Sequence, residues 1–296
     1  MTARPQSTTT LDSTGGATGV LVLAMISIQL GASIAKELLP SVGPSGATAL
    51  RTSIAATLLW AVWKPWRVPR TATWLRAVVV YGACLGAMNL MFYCALARIP
   101  LGLAVALEFV GPLGVALFAS RRLVDFAWTL SAAAGILLIV RLRGGHTVDV
   151  AGIGFALAAG LCWALYIVFG QRASNAGPSG PTAAIGMAIA ALVTVPFGAP
   201  VVVAHVGDRT VWLRALAIAV FSSALPYYLE MLALKRLPAR TFGVLMSLEP
   251  AVAAVIGFAI LRERLAPSQW TAIALIIVAA AGSALTTRAR PVPVGS

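Results

Sequence analysis

Charge is scarce in this sequence, and negative charge is scarcer still. Only 10% of the 296 residues are Asp, Glu, Lys or Arg, and nine of those are acidic; a soluble domain carries roughly a quarter charged residues. Such a chain cannot cover its own surface in water. Histidine occurs only at His146 and His205, and no HExxH or GxSxG run is present. An intramembrane hydrolase needs a nucleophile with a base, or a metal site, so no enzyme activity, metal or cofactor is expected. Three cysteines, Cys84, Cys94 and Cys162, fall inside apolar stretches and imply no disulfide framework. Residues 1–18 are rich in Thr, Ser and Gly, and the apolar run behind them is too long for a removable signal segment. They read as a disordered cytoplasmic tail.

What fills the chain is apolar surface: 59% of residues are hydrophobic and the mean hydropathy is +0.91. About 20 apolar residues cross a bilayer as one helix. Windows bounded by charge, Pro or Gly predict ten transmembrane helices, at about 19–39, 44–63, 75–95, 100–119, 126–140, 151–170, 181–203, 212–233, 239–261 and 268–287. The fifth is short unless it extends to Arg141. The net charge of +13 is spread between spans and forms no single basic face, which argues against nucleic acid as a partner. With the N-terminus inside, cytoplasmic segments hold thirteen Lys and Arg residues and the opposite side holds seven. That excess places both termini in the cytoplasm, and Trp60, Trp63, Trp66 and Trp74 flank the richest loop as an interfacial belt would.

An internal repeat organises the spans. Residues 95–112, ALARIPLGLAVALEFVGP, match residues 233–250, ALKRLPARTFGVLMSLEP, at Ala95, Leu96, Arg98, Pro100 and Pro112; Arg122, Leu123 and Trp128 then match Arg264, Leu265 and Trp270. The chain divides into two five-helix halves, 19–145 and 146–287, with a second cytoplasmic tail at 288–296. An odd number of spans per half inverts the second half, a plan of secondary transporters whose site lies near the midplane.

Polar groups inside apolar spans mark the candidate site. Glu108 falls about 12 Å into span four at 1.5 Å per residue, and Glu249 is similarly placed in span nine. A carboxylate there must be paired, hydrated or protonated, so each is either a proton-coupling group or half of a structural ion pair. Arg51 suits a substrate carboxylate or a buried acid equally. Lys36 and Glu230 stand near enough to the interface to snorkel. Helical spacing gives span one the stripe Gln29, Ser33, Lys36, span three the stripe Gly82, Gly86, Asn89, Tyr93, and span eight the stripe Ser223, Tyr227, Glu230. The two glycines read as helix contacts. Asn89, Tyr93 and Tyr227 read as cavity-lining groups or helix-to-helix hydrogen bonds, and Trp163 and Tyr166 as lining or core. Pro112, Pro226 and Pro250, inside spans four, eight and nine, each free a carbonyl four residues earlier, those of Glu108, Ser222 and Met246. Freed backbone at that depth is tolerated beside a watery cavity, which favours a gated site.

The runs SIQLGASIAK (27–36), TALR (48–51), PLGLAVALEFVGPLGVALF (100–118), CWALYIVFGQRA (162–173) and ALPYYLEMLALKRLPARTFGVLMSLEPA (224–251) resemble the drug/metabolite transporter superfamily, built from two EamA-type repeats. The resemblance covers about residues 20–287. It implies proton-driven export of threonine, homoserine and related small amino acids by a multi-pass protein of the bacterial inner membrane. The partners it implies are the substrate, protons and lipid, and a monomer is expected. Many EamA repeats carry Gly-Glu after the ninth span; this chain carries Arg262-Glu263. A broader drug or dye exporter of the same fold, and a passive channel, are the alternatives.

Overall fold

The computed structural model describes residues 14–68, 71–118, 123–141, 149–226, 229 and 245–286. Among these the regular structure is all helical: α1 (Thr14–Trp63), a 3₁₀ turn (Pro65–Arg67), α2 (Ala72–Leu96), α3 (Leu101–Glu108), α4 (Val110–Phe118), α5 (Leu123–Arg141), α6 (Val150–Ala176), α7 (Ser179–Ala204), α8 (Arg209–Ala219), a π turn (Val220–Ala224), α9 (Glu249–Ala259) and α10 (Pro267–Thr286). Side-chain caps start several of them. Thr71 accepts from the Trp74 amide ahead of α2, Asp149 from the Ala151 and Gly152 amides ahead of α6, and Asp208 from the Thr210 and Val211 amides ahead of α8. Residues 16–63, 72–96, 150–170 and 180–204 are long and apolar enough to cross a membrane. Large side chains such as Leu192, Val203 and Leu130 stay exposed at 72%, 70% and 68%, a surface suited to lipid rather than water.

The 50 residues of α1 are not one straight rod. Gly43, between Pro40 and Pro44, has φ 65° and ψ 173°, a conformation essentially confined to glycine. Ser27 and Arg51 both bond to residues 221–223, although 24 residues of straight helix would hold them about 36 Å apart. The chain therefore folds back at Gly43, so the windows 19–39 and 44–63 are two arms. The second arm runs antiparallel to α7, with Ser45 against Gly198, Thr52 bonded to Thr194, and Trp60 donating to the Ala184 carbonyl.

Small residues set the helix spacings, as the sequence stripe suggested. A Cβ on Gly82 would stand 2.6 Å from the Gly186 carbonyl oxygen, and one on Gly86 would stand 2.9 Å from that of Ala190. These glycines let α2 and α7 approach backbone to backbone. On its other side α2 runs antiparallel to α6, from Trp74 against Gly177 to Arg98 bonded to Asp149. α5 includes Arg141 and lies antiparallel to α10, with Ser131 donating to the Leu275 carbonyl and Trp128 over Gly282.

Windows four and nine are interrupted at their prolines. In span four Phe109, between α3 and α4, keeps right-handed helical angles (φ −64°, ψ −15°). Its N–H donates to the Val105 carbonyl and the Leu113 N–H donates to the Phe109 carbonyl, so the missing bond is the one Pro112 cannot give to the Glu108 carbonyl. Pro250 stands in the first turn of α9, after the turn at Ser247 and Leu248, where a missing N–H is tolerated.

Candidate functional site

Arg51 is the centre of the polar interior. From the second arm of α1 it donates through Nη1 to Asn89 Oδ1 (2.5 Å), through Nη2 to the Ser222 carbonyl (3.0 Å) and through Nε to Ser223 Oγ (3.3 Å). Its guanidinium lies 5.7 Å from the centroid of the Tyr93 ring. The Ser222 carbonyl is the one Pro226 leaves without a helical donor, and the preceding π turn loosens the same stretch, so Ser27 can also donate to the Phe221 carbonyl (2.8 Å). Arg51 thus ties the second arm of α1 to α2 and to the π turn. Asn89 Nδ2 is held by the Leu85 carbonyl (2.7 Å). Three of the five guanidinium N–H groups are engaged, which leaves donors for an anion.

The two buried glutamates stand beside proline interruptions. Glu108 lies one turn before Pro112 in a helix whose bonds otherwise continue, and Glu249 is the first residue of α9. A helix N-terminus favours a carboxylate. Glu249 also accepts from Gln29 Nε2 (3.1 Å). The Glu108 side chain makes no hydrogen bond among the described residues, although the charges of Glu249 and Arg51 both act on it. Its main-chain carbonyl, freed by Pro112, lies against Gly160 of α6, where a Cβ would approach to 2.6 Å. Gly111, one turn on, is pressed against the Gly160 backbone. The interruption at Glu108 is therefore seated directly on α6.

The stripe on α1 faces the segment from Glu249 to Glu263. Gln29 meets Glu249, Ser33 donates to the Gln29 carbonyl (2.9 Å), and Lys36 Nζ meets Glu263 Oε1 (2.5 Å) and the Ile99 carbonyl (2.8 Å). Lys36 does not snorkel: its side chain is 24% exposed, and that of Glu263 is 13% exposed. Glu263 Oε2 also accepts from the Leu101 amide (2.9 Å) and so caps α3. Arg262 before it has φ 55°, a left-handed conformation that favours glycine. The Gly-Glu of many EamA repeats suits this backbone, and Arg262 takes it here with its side chain in the open.

Other expected lining residues are engaged elsewhere. Trp163 meets Phe109 edge-on at 5.4 Å, beside Glu108, whereas Tyr166 stacks on Tyr81 at 4.9 Å between α2 and α6. Tyr227 and Glu230 lie outside the described residues. Sequence reasoning passed over Ser222 as an anchor for Arg51 and Glu263 as the partner of Lys36. The proline four residues after Ser222 was the signal for the first; the second joins residues 227 positions apart, which nothing local announces.

Outside the membrane-spanning core, Asp149 is held below the usual carboxylate range, first by the hydrogen bond from Arg98 and then by the Gly152 and Ala151 amides.

Residues 150–285 match the EamA-like transporter family. The chain is 50% identical over 271 residues, 91% of each chain, to the threonine/homoserine exporter RhtA of Escherichia coli. It is 49% identical over 278 residues, 92% of each, to the exporter of the same name from Salmonella typhimurium. The uncharacterized transporter YwfM of Bacillus subtilis is 27% identical over 150 residues, 51% of each chain. A solved crystal structure superposes with a TM-score of 0.59 over 91% of this chain and 97% of that one; at 22% identity it speaks to the fold alone.

Proposed function

Because this chain belongs to the EamA-like transporter family, we propose that it is a secondary active exporter of small amino acids, threonine and homoserine foremost, in the bacterial inner membrane. The observation that carries this is the 50% identity over 91% of both chains with an exporter of that name. A match of 271 residues in a chain of 296 spans Arg51, Glu108 and Glu249.

The architecture proposed is ten spans in two inverted halves, residues 19–145 and 146–287, with both termini in the cytoplasm. Support comes from spans that the repeat makes counterparts: the second arm of α1 lies antiparallel to α7, and α5 lies antiparallel to α10. An axis in the membrane plane would give each pair this relation.

In the proposed cycle Arg51 takes the substrate carboxylate through its remaining donors, with Asn89, Ser222 and Ser223 fixing the guanidinium plane and Tyr93 beneath it. Glu108 receives either the substrate ammonium or a proton. The two compete for one carboxylate, and a proton entering from the periplasm displaces the ammonium outward. Glu249 serves as the fixed charge of the coupling pair, held by the first turn of α9 and by Gln29. The bond missing at Glu108, the turn at Ser247–Leu248 and the π turn before Pro226 supply the bending points for opening to alternate sides, with Pro112, Pro226 and Pro250 as gating positions. Trp163, on the α6 side of Glu108, lines the cavity in this reading; Tyr166 is the further substrate-binding candidate on α6, and the candidates Tyr227 and Glu230 lie outside the described residues.

The test is uptake of radiolabelled threonine into inverted membrane vesicles under an imposed pH gradient. Glu108→Gln keeps size and hydrogen bonding but cannot titrate, so it is expected to abolish gradient-driven accumulation at matched protein level. Parental accumulation with parental pH dependence in that variant would make Glu108 structural. Equilibration without accumulation in the parent would mark a passive channel.

A further inference from the structure

The geometry points to Gln29 as the residue that reads the side-chain hydroxyl of the substrate, setting a preference for hydroxy amino acids over their deoxy analogues. This inference rests on the amino-acid export reading above. Gln29 is 1% exposed, its Nε2 donates to Glu249, and its Oε1 is buried with no hydrogen-bond partner among the described residues. The amide nitrogen faces the Glu249 carboxyl oxygen and donates to it, and the amide oxygen is the acceptor left over. A buried amide oxygen without a donor is unfavourable and calls for an explanation.

The depth of Gln29 is fixed by its neighbours on α1. Ser27 bonds to the Phe221 carbonyl and Gly31 is pressed against Ser222; Gln29, midway between them, is therefore level with the Ser222 carbonyl that Arg51 holds. It shares its layer with Arg51 and touches Glu249, whose charge acts on Glu108. Several donors in this layer point elsewhere: three N–H groups of Arg51 to Asn89, Ser222 and Ser223, Asn89 to Leu85, and Ser33 to the Gln29 main chain. Among the described residues the buried hydroxyls of Tyr93 and Ser222 also lack partners. Tyr93 lies at the Arg51 end, where the carboxylate is placed, and Ser222 Oγ is packed on Gly31. Gln29 Oε1 is the neutral acceptor on the α9 side, next to the Glu249 carboxylate.

An α-amino acid brings an ammonium and a carboxylate, which Glu108 and Arg51 match by charge. Threonine and homoserine share one further polar group, a hydroxyl. A neutral acceptor beside a carboxylate suits it, because its donation fills the vacant position on Gln29 without adding charge. An analogue lacking the oxygen leaves Oε1 unpaired, and a site built to hydrogen-bond a hydroxyl rejects such analogues strongly.

The probe is 2-aminobutyrate, which is both threonine and homoserine less that oxygen. Inhibition of labelled threonine uptake into inverted vesicles is measured with unlabelled homoserine and with 2-aminobutyrate. The parent is expected to prefer homoserine by roughly tenfold, the scale of one net hydrogen bond. Gln29→Met, similar in length but without an acceptor, also removes the Nε2 donor to Glu249, so the readout is the ratio: the two inhibition constants are expected to come together because homoserine is weakened more than 2-aminobutyrate. Equal weakening of both, or an undiminished ratio, overturns the assignment. If Gln29→Met does not reach the membrane, Gln29→Asn, which withdraws the amide by one methylene, is read by the same ratio. Transport by the parent without preference overturns this inference alone, whereas absence of amino-acid transport overturns the export reading and this inference with it.

Discussion

Removing the carboxylate of Glu263 tests whether the neighbouring ends of three helical segments are held by one ion pair. Glu263 Oε1 meets Lys36 of α1 at 2.5 Å, its Oε2 caps α3 at the Leu101 amide, and Lys36 also reaches the Ile99 carbonyl. An exposed pair contributes about 0–1 kcal/mol, and breaking a fully buried one costs about 3–5 kcal/mol. With exposures of 24% and 13% this pair falls between those limits. Loss of the cap adds about 1 kcal/mol. Glu263→Ala is therefore expected to destabilise by about 2–4 kcal/mol, since it strands the Lys36 ammonium with a single carbonyl. Lys36→Met with Glu263→Ala removes the stranded charge, so the double variant is expected to lose less than the two singles together, with a coupling of about 1–3 kcal/mol. The assay is unfolding by sodium dodecyl sulfate in mixed micelles, followed by tryptophan fluorescence. Strict additivity, or a Glu263→Ala variant within about 0.5 kcal/mol of the parent, refutes the clasp.

Gly86→Leu is expected to reduce folded yield and thermal stability sharply, because the added Cβ alone would stand 2.9 Å from the Ala190 carbonyl; parental size-exclusion behaviour would show that α2 and α7 can separate. Single cysteines at Gly46 and Gly177, in a background without the native three, are expected to react with an impermeant thiol reagent from the periplasm and the cytoplasm respectively, and labelling of position 177 in intact cells would reverse the topology. Asp149 titrates lower in the folded protein than in the unfolded chain, through its Arg98 hydrogen bond first. Its contribution is therefore complete above the unfolded carboxylate range and lost as pH falls through the folded value. Asp149→Asn is expected to flatten the acid limb of a thermal-stability profile below about pH 4, and an unchanged limb would assign that acid sensitivity to other groups.

Composition and periodicity determined the membrane-spanning class, the positions of most helices and the contact face of Gly82 and Gly86. These properties follow from local quantities, namely apolar run length and the 3.6-residue repeat. The buried charges were also legible, because an ionisable residue deep in an apolar run is conspicuous wherever it occurs. The freed Ser222 carbonyl could be named from Pro226, since the missing N–H is fixed by the covalent structure. Its occupant could not: Arg51 is 171 residues away, and only packing decides which donor reaches an orphan carbonyl. The same holds for Lys36, which hydropathy placed at the interface and tertiary contacts place on Glu263. Tertiary structure also decided what surrounds the two carboxylates: Glu249 opens α9 and accepts from Gln29, whereas the Glu108 main-chain carbonyl lies against Gly160. A sequence records that two carboxylates lie at similar depth; their different surroundings exist only once the helices have packed.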